Sequence, residues 1–349
     1  MKYGRALLKD VEGYVPGEQP KDPDVIKLNT NENPYPPSPM ALEALRHVSA
    51  DALRKYPDPL STRLRAKWAE LQGYAGPEWV IAGNGMDELL AMAVRTFVDP
   101  GDVILTTWPT YTLYETLARL HGARVEAVGL DEEFQLPETF FGHGGRLCFL
   151  PRPNAPTGVC APRKDVERFC SGFQGLVVLD EAYVDFADDD CMDFPRRHEN
   201  VIVMRTFSKS FSLAGLRLGL AVAQPGLITE FLKTKDSYNL NAVTQAVGLA
   251  ALNDYESMKR NAARVAATRK RATAALEALG FVVTPSQSNF VLARWGGKPE
   301  ARTVFERLKE RRIFVRYFDV PRLRDALRIS IGTEQEMDAL IAALREIVQ

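Results

Sequence analysis

The stretch "WVIAGNGMDELLAMAVRTFVDPGDVILTTWP", residues 79–109, decides the fold class. A short apolar run ends in a glycine turn, a segment of helical period follows, and a second apolar run closes the unit. Apolar strands that alternate with helices form a mostly parallel sheet covered on both faces. The alternation continues outward. "TYTLYETLARLHG" (110–122) reads as a helix and "RVEAVGL" (124–130) as a strand. "RLCFLPRPN" (146–154), "LVVLDEAY" (176–183), "VIVMRTF" (201–207) and "LRLGLAVA" (216–223) are further strands, with a helix over "RKDVERFCSGF" (163–173).

On the N-terminal side, residues 1–40 are rich in Pro, Asn and Gly and read as an extended arm, because prolines deny backbone donors to helix or sheet. A helix starts near Ser38-Pro39, and another places Leu64, Trp68 and Leu71 on one face. On the C-terminal side, residues 242–280 carry helical spacing, as two helices. Strands at "FVVTPSQSNFVLARW" (281–295), "IFVRYF" (313–318) and "LRISIG" (327–332) follow, with a helix between and a last one opened by Thr333 and Glu336 in capping-box spacing. The expected organisation is an arm over 1–40 that joins the small domain, a large α/β domain over 41–250, and a smaller α+β domain over 251–349.

The chain has 349 residues, 26% charged and 46% hydrophobic, with a net charge of −1. That balance carries no electrostatic footprint for nucleic acid or an anionic membrane. Four cysteines without a CxxC pair and four scattered histidines predict neither a disulfide framework nor a metal site. No run approaches the roughly 18 apolar residues of a spanning helix. The N-terminus lacks the apolar segment of a signal peptide, so a cytoplasmic protein is expected.

Ligands of open α/β sheets sit outside the strands' carboxyl ends, and the polar motifs fall there. Asp180 ends an apolar run, which puts a costly carboxylate at the mouth of a buried strand. Asn154 ends another strand in a Pro-rich turn. "GNGMDELL" (83–90) opens a helix whose first N–H groups, on Gly85, Met86 and Asp87, make an anion site. Lys209 stands among the hydroxyls of Thr206, Ser208 and Ser210, with Arg217 beyond. Each feature alone reads as a cap, a loop or a solvated charge. Together they supply an amine, a carboxylate and a phosphate cradle, which fits pyridoxal phosphate: an aldehyde for the lysine, a ring nitrogen for the carboxylate, a phosphate for the donors.

The motifs "NENPYPPSP", "KYPDP", "GNGMDE", "PTYTLYE", "PRPNAPTG", "DEAYVDF", "SKSFSLAGLRLG" and "LRISIGT" occur in this order across nearly the whole chain. The sequence thereby resembles the fold-type-I pyridoxal-phosphate enzymes and, within them, the histidinol-phosphate aminotransferases. That resemblance implies a transaminase with Lys209 as the cofactor-bearing lysine and Asp180 as partner of the ring nitrogen. It assigns Asn154 and Tyr183 to the cofactor's O3′, and Tyr111 to stacking on its ring. Gly85, Met86 and Asp87 become the phosphate turn, joined by Thr206, Ser208 and Arg217. Tyr56 is implied to reach the phosphate of a neighbouring subunit, hence a homodimer. Arg316 and Arg328, with Asn154 and with Tyr14 on the arm, are implied to hold the substrate. Met86 departs from the family's pattern, where a small residue is usual. Aromatic amino-acid aminotransferases and threonine-phosphate decarboxylases share most of these motifs and stand as alternatives; a cofactor-sensing regulator would need a DNA-binding module that the sequence does not carry.

Overall fold

The computed structural model describes residues 3–11, 13, 17–22 and 24–349. Among these, seven strands form one sheet in the order Val80–Asn84, Leu218–Val222, Val201–Thr206, Leu176–Asp180, Leu147–Pro151, Val103–Trp108, Arg124–Gly129. The last five pair in parallel, and Leu218–Val222 runs antiparallel to both its neighbours. Side chains alternate across the sheet with the period of two that strands impose. Val177, Leu179, Val201 and Val203 join one apolar cluster; Val178, Ile202 and Met204 join the other. Each side chain so buried contributes about 1.5–3 kcal/mol.

Helices supply both covers. Met86–Phe97, Leu113–His121 and Pro225–Thr234 pack Leu89, Tyr114 and Phe231 onto one face. Thr62–Leu71, Arg163–Gly172 and Ala242–Asn253 pack Trp68, Phe169 and Val247 onto the other. The helix Pro39–Arg46 begins where Ser38 Oγ accepts the Ala41 N–H.

A second sheet, fully antiparallel, orders Arg316–Tyr317, Ala326–Ser330, Phe290–Arg294 and Val282–Val283. The helix Glu334–Val348 opens on the predicted capping box of Thr333 and Glu336. The segment 313–318 is not one strand. Ile313–Phe314 pairs in parallel with Ile26–Lys27 of the arm, and only Arg316–Tyr317 joins the antiparallel sheet. The arm is also less uniform than its composition suggests, with a 3-10 helix over Ala6–Asp10. Prolines exclude long elements from it but leave room for one short turn and one short strand.

Behind the strand ends lies a buried ionic knot. Arg205, in a strand with no exposed residue, donates from Nε to Glu181 at 2.8 Å, from Nη1 to Asp185 at 2.8 Å and from Nη2 to Asp190 at 3.0 Å. Glu181 also accepts the Cys191 N–H at 2.6 Å, and Asp185 a short hydrogen bond from Ser210 Oγ. Glu181 and Ser210 directly follow Asp180 and Lys209, so one guanidinium anchors both turns. Removing one member of such a set strands the others as uncompensated charges. Arg205→Met is therefore expected to lower the unfolding free energy by about 3–5 kcal/mol, read from the urea midpoint.

Candidate active site

The carboxyl ends of the parallel strands, the second sheet and residues 29–32 of the arm enclose one cavity of about 750 Å³. The strand Leu218–Val222 brings its amino end to the same rim because it runs antiparallel. The eleven-residue link from Val201–Thr206 therefore stays at the cavity edge, with Lys209 and Arg217 both on it.

Lys209 is half-buried rather than buried. Its Nζ donates to the Thr30 carbonyl at 3.3 Å and lies 5.7 Å from the centroid of the Tyr183 ring. Asp180, in the same cavity, is 5% exposed. Its Oδ2 accepts from Tyr114 Oη at 2.5 Å and its Oδ1 from the Ala182 N–H at 3.0 Å. Among the described residues it has no ion-pair partner within 4 Å. Burial raises its carboxyl to about 6; those two donors and the charge of Lys209 oppose the rise, while Asp87 adds to it. A buried carboxylate with hydrogen bonds but no paired cation is complementary to a protonated ring nitrogen.

At the phosphate turn, Gly85 adopts φ +81° and caps the helix Met86–Phe97. A Cβ there would come within 2.5 Å of Arg217 Nη2, and one on Gly219 within 2.7 Å of the Met86 nitrogen. The two glycines let the strand, the helix start and the guanidinium converge. The Gly85 N–H donates to the Gly83 carbonyl at 2.9 Å. Met86 and Asp87, first residues of the helix, both line the cavity. The Met86 side chain is buried in the apolar cluster under the helix. Arg217 donates to Ser208 Oγ at 3.2 Å and to Asp87 at 3.4 Å, and the Thr206 hydroxyl accepts the Ser208 N–H at 3.1 Å. Amides, hydroxyls and a guanidinium at a helix start are the donor set a phosphate monoester needs.

Tyr111 lines the cavity and reaches Asp87 at 3.4 Å. Tyr183 also lines it, with its ring edge-on to Phe290. On the second sheet, Arg316 and Arg328 stand opposite each other in register, and each guanidinium lies 5.3–5.4 Å from the Phe318 ring. Both are half-buried and line the cavity, so Arg316 is not a surface residue.

Two of the expected residues do not line this cavity. Asn154 is buried behind the wall, not among the lining residues. Its Nδ2 donates to the Pro109 carbonyl and Thr157 Oγ1, both at 3.0 Å, and its Oδ1 accepts from Thr110 at 3.4 Å. In this arrangement the amide braces two loops. Tyr56 is 81% exposed and stacks on Tyr238, outside the cavity. Tyr14 lies outside the described residues.

Sequence reasoning missed Asn31 and Tyr114. Asn31 takes a left-handed conformation (φ 56°), which Asn tolerates better than most residues. Its Nδ2 donates to Tyr183 Oη at 3.0 Å, its Oδ1 accepts from Ser330 at 3.0 Å, and its carbonyl accepts from Asn289. Asn33 Nδ2 donates to the carbonyls of Lys209 and Ser210. Both lie in "NENPYPPSP", a motif quoted above for resemblance but given no role. Tyr114 stands three positions after Tyr111, in the first turn of the helix Leu113–His121, and its spacing carried no sign of Asp180.

Residues 23–344 match the family model described as aminotransferase class I and II. The histidinol-phosphate aminotransferase of Rippkaea orientalis is 44% identical over 98% of both chains, and that of Geotalea uraniireducens 45% identical over 98% of this chain and 99% of the other. Among solved structures, histidinol-phosphate aminotransferase from Sinorhizobium meliloti in complex with pyridoxal-5′-phosphate superposes with a TM-score of 0.86 at 30% identity, covering 93% of this chain and 90% of the other.

The raised pKa of Asp180 has a consequence for the cofactor-free protein. An acid titrating higher in the fold than in the unfolded chain costs stability as pH rises from about 4 through about 6. Asp180→Asn should match the wild type near pH 4 and exceed it near pH 7 by up to about 3 kcal/mol, measured by urea denaturation across that range.

Proposed function

The chain belongs to the class I and II aminotransferases, and from that premise we propose a histidinol-phosphate aminotransferase with pyridoxal 5′-phosphate as cofactor. It interconverts histidinol phosphate and 2-oxoglutarate with imidazole-acetol phosphate and glutamate. The observation that carries this reading is the placement of Arg316 and Arg328, opposite in register, in the cavity that holds Lys209 and Asp180. Histidinol phosphate bears a phosphate ester where glutamate bears its α-carboxylate. A pair of planar, always-charged donors suits both anions.

Bound in this cavity, the cofactor supplies an aldehyde for an amine and a protonated ring that withdraws electrons from the substrate α-carbon. Asp180 keeps the ring nitrogen charged through an opposite charge at close range. Met86 and Asp87 N–H groups, Thr206, Ser208 and Arg217 hold the phosphate. Tyr111 stacks on the ring, and Tyr183, its hydroxyl oxygen accepting from Asn31, keeps its own proton to donate towards O3′. Asn154, whose amide borders the cavity wall through the Pro109 carbonyl and Thr157, is proposed as the second donor to O3′. With Arg316 and Arg328 fixing the anionic group, the substrate α-carbon would be presented to Lys209 Nζ, the base that would take up and hold the proton from that carbon.

The active form we propose is a homodimer, with Tyr56 of each copy offered to the phosphate site of the other. Its outward exposure and its absence from the lining of its own cavity support that role. As a biosynthetic enzyme of small soluble substrates, it is assigned to the cytoplasm.

The purified protein should be yellow, and Lys209→Ala should abolish both the colour and transamination. Half-reaction rates with histidinol phosphate, phenylalanine, tyrosine and threonine phosphate test the substrate. Histidinol phosphate is expected to show the highest kcat/KM; preference for an aromatic amino acid, or CO₂ release from threonine phosphate, overturns the assignment. Arg328→Met should lower kcat/KM for histidinol phosphate and glutamate alike by about 10–100-fold.

A further inference from the structure

We propose that Tyr114 is a positioning residue, whose hydroxyl aims the Asp180 carboxylate and holds it ionised for the cofactor's ring nitrogen. This inference rests on the cofactor reading above. The Tyr114 side chain is 1% exposed and its Oη donates to Asp180 Oδ2 at 2.5 Å. Its ring stacks on Phe149, at 4.7 Å between centroids and 13° between planes. Phe149 belongs to the strand Leu147–Pro151, so the sheet core sets where the hydroxyl sits. Tyr114 also meets Tyr111 edge-on at 5.6 Å. One buried ring thus braces both the residue that pairs with the cofactor's nitrogen and the residue that stacks on its face.

The chemistry runs one way. Burial, then the charge of Asp180, pushes the phenol well above its ordinary pKa, so it stays protonated and can only donate to a carboxylate. Asp180 Oδ1 takes the Ala182 N–H, so each carboxylate oxygen has one fixed donor and keeps capacity for another. The other groups acting on this pair are the charges of Asp87 and Lys209 and the phenols of Tyr111 and Tyr183. Packing alone would be served equally well by phenylalanine, so the hydroxyl is the atom that needs a reason.

The test separates ring nitrogen from ring shape. Pyridoxamine 5′-phosphate, which cannot react with Lys209, and its analogue with CH in place of the ring nitrogen are titrated near neutral pH into wild type, Tyr114→Phe and Tyr114→His. Wild type should prefer the nitrogen-bearing compound. Tyr114→Phe should lose about tenfold of that preference, with affinity for the CH analogue unchanged. Tyr114→His, which can still donate, should recover part of it. Unchanged preference in Tyr114→Phe, or equal loss for both compounds in both variants, overturns the positioning role and leaves the cofactor reading intact. A wild type that binds neither compound overturns both.

Discussion

The floor of the cavity depends on the charge of Arg205. Three acidic side chains converge on it, and two of them, Glu181 and Asp185, are nearly sealed from solvent. Buried carboxylates repel one another and lose their hydration, so without a cation among them the turns after Leu176–Asp180 and Val201–Thr206 would not close together. The guanidinium suits this place because its fork satisfies three acceptors in one plane without giving up a proton. With Glu181 and Asp185 compensated, Asp180 is left as the buried carboxylate whose charge faces the cavity. Structural and chemical acids therefore sit next to each other in sequence, on opposite sides of the strand end.

The second constraint is that no single element owns the site. The cradle comes from the large sheet, the two arginines from the small one, and residues 29–33 of the arm run between them. Asn31 bonds Tyr183 on one side and Ser330 on the other, and the Asn29 carbonyl accepts from Arg328 at 2.9 Å. A substrate held by its anion on one sheet and by its amine on the other is oriented by both.

Much of this was legible in the sequence because of where strands end. Lys209, Asp180, Thr206, Ser208 and Arg217 are polar residues abutting apolar runs, and a period of two or 3.6 locates such junctions. Residues whose role depends on a distant partner left no such mark. Tyr114 is 66 positions from Asp180, and Asn31 is 152 from Tyr183. Nothing local tells a phenol in a helix that it will meet a carboxylate. At Asn154 the position at a strand end was clear, but the amide's bond to the Pro109 carbonyl of another loop was not. At Gly85 the turn was foreseen, and its own N–H closes that turn.

The arm's pairing has a temporal consequence for a chain made from its N-terminus. Asn31 must find Ser330, 299 positions later, and Ile26 must find Ile313. The large sheet can therefore collapse on the ribosome while its mouth stays open. Only when residues 313–330 have emerged can residues 26–33 be clasped from both sides. Arrival of residues 313–330, rather than formation of the core, is the moment at which the arm can first be fastened across the cavity mouth.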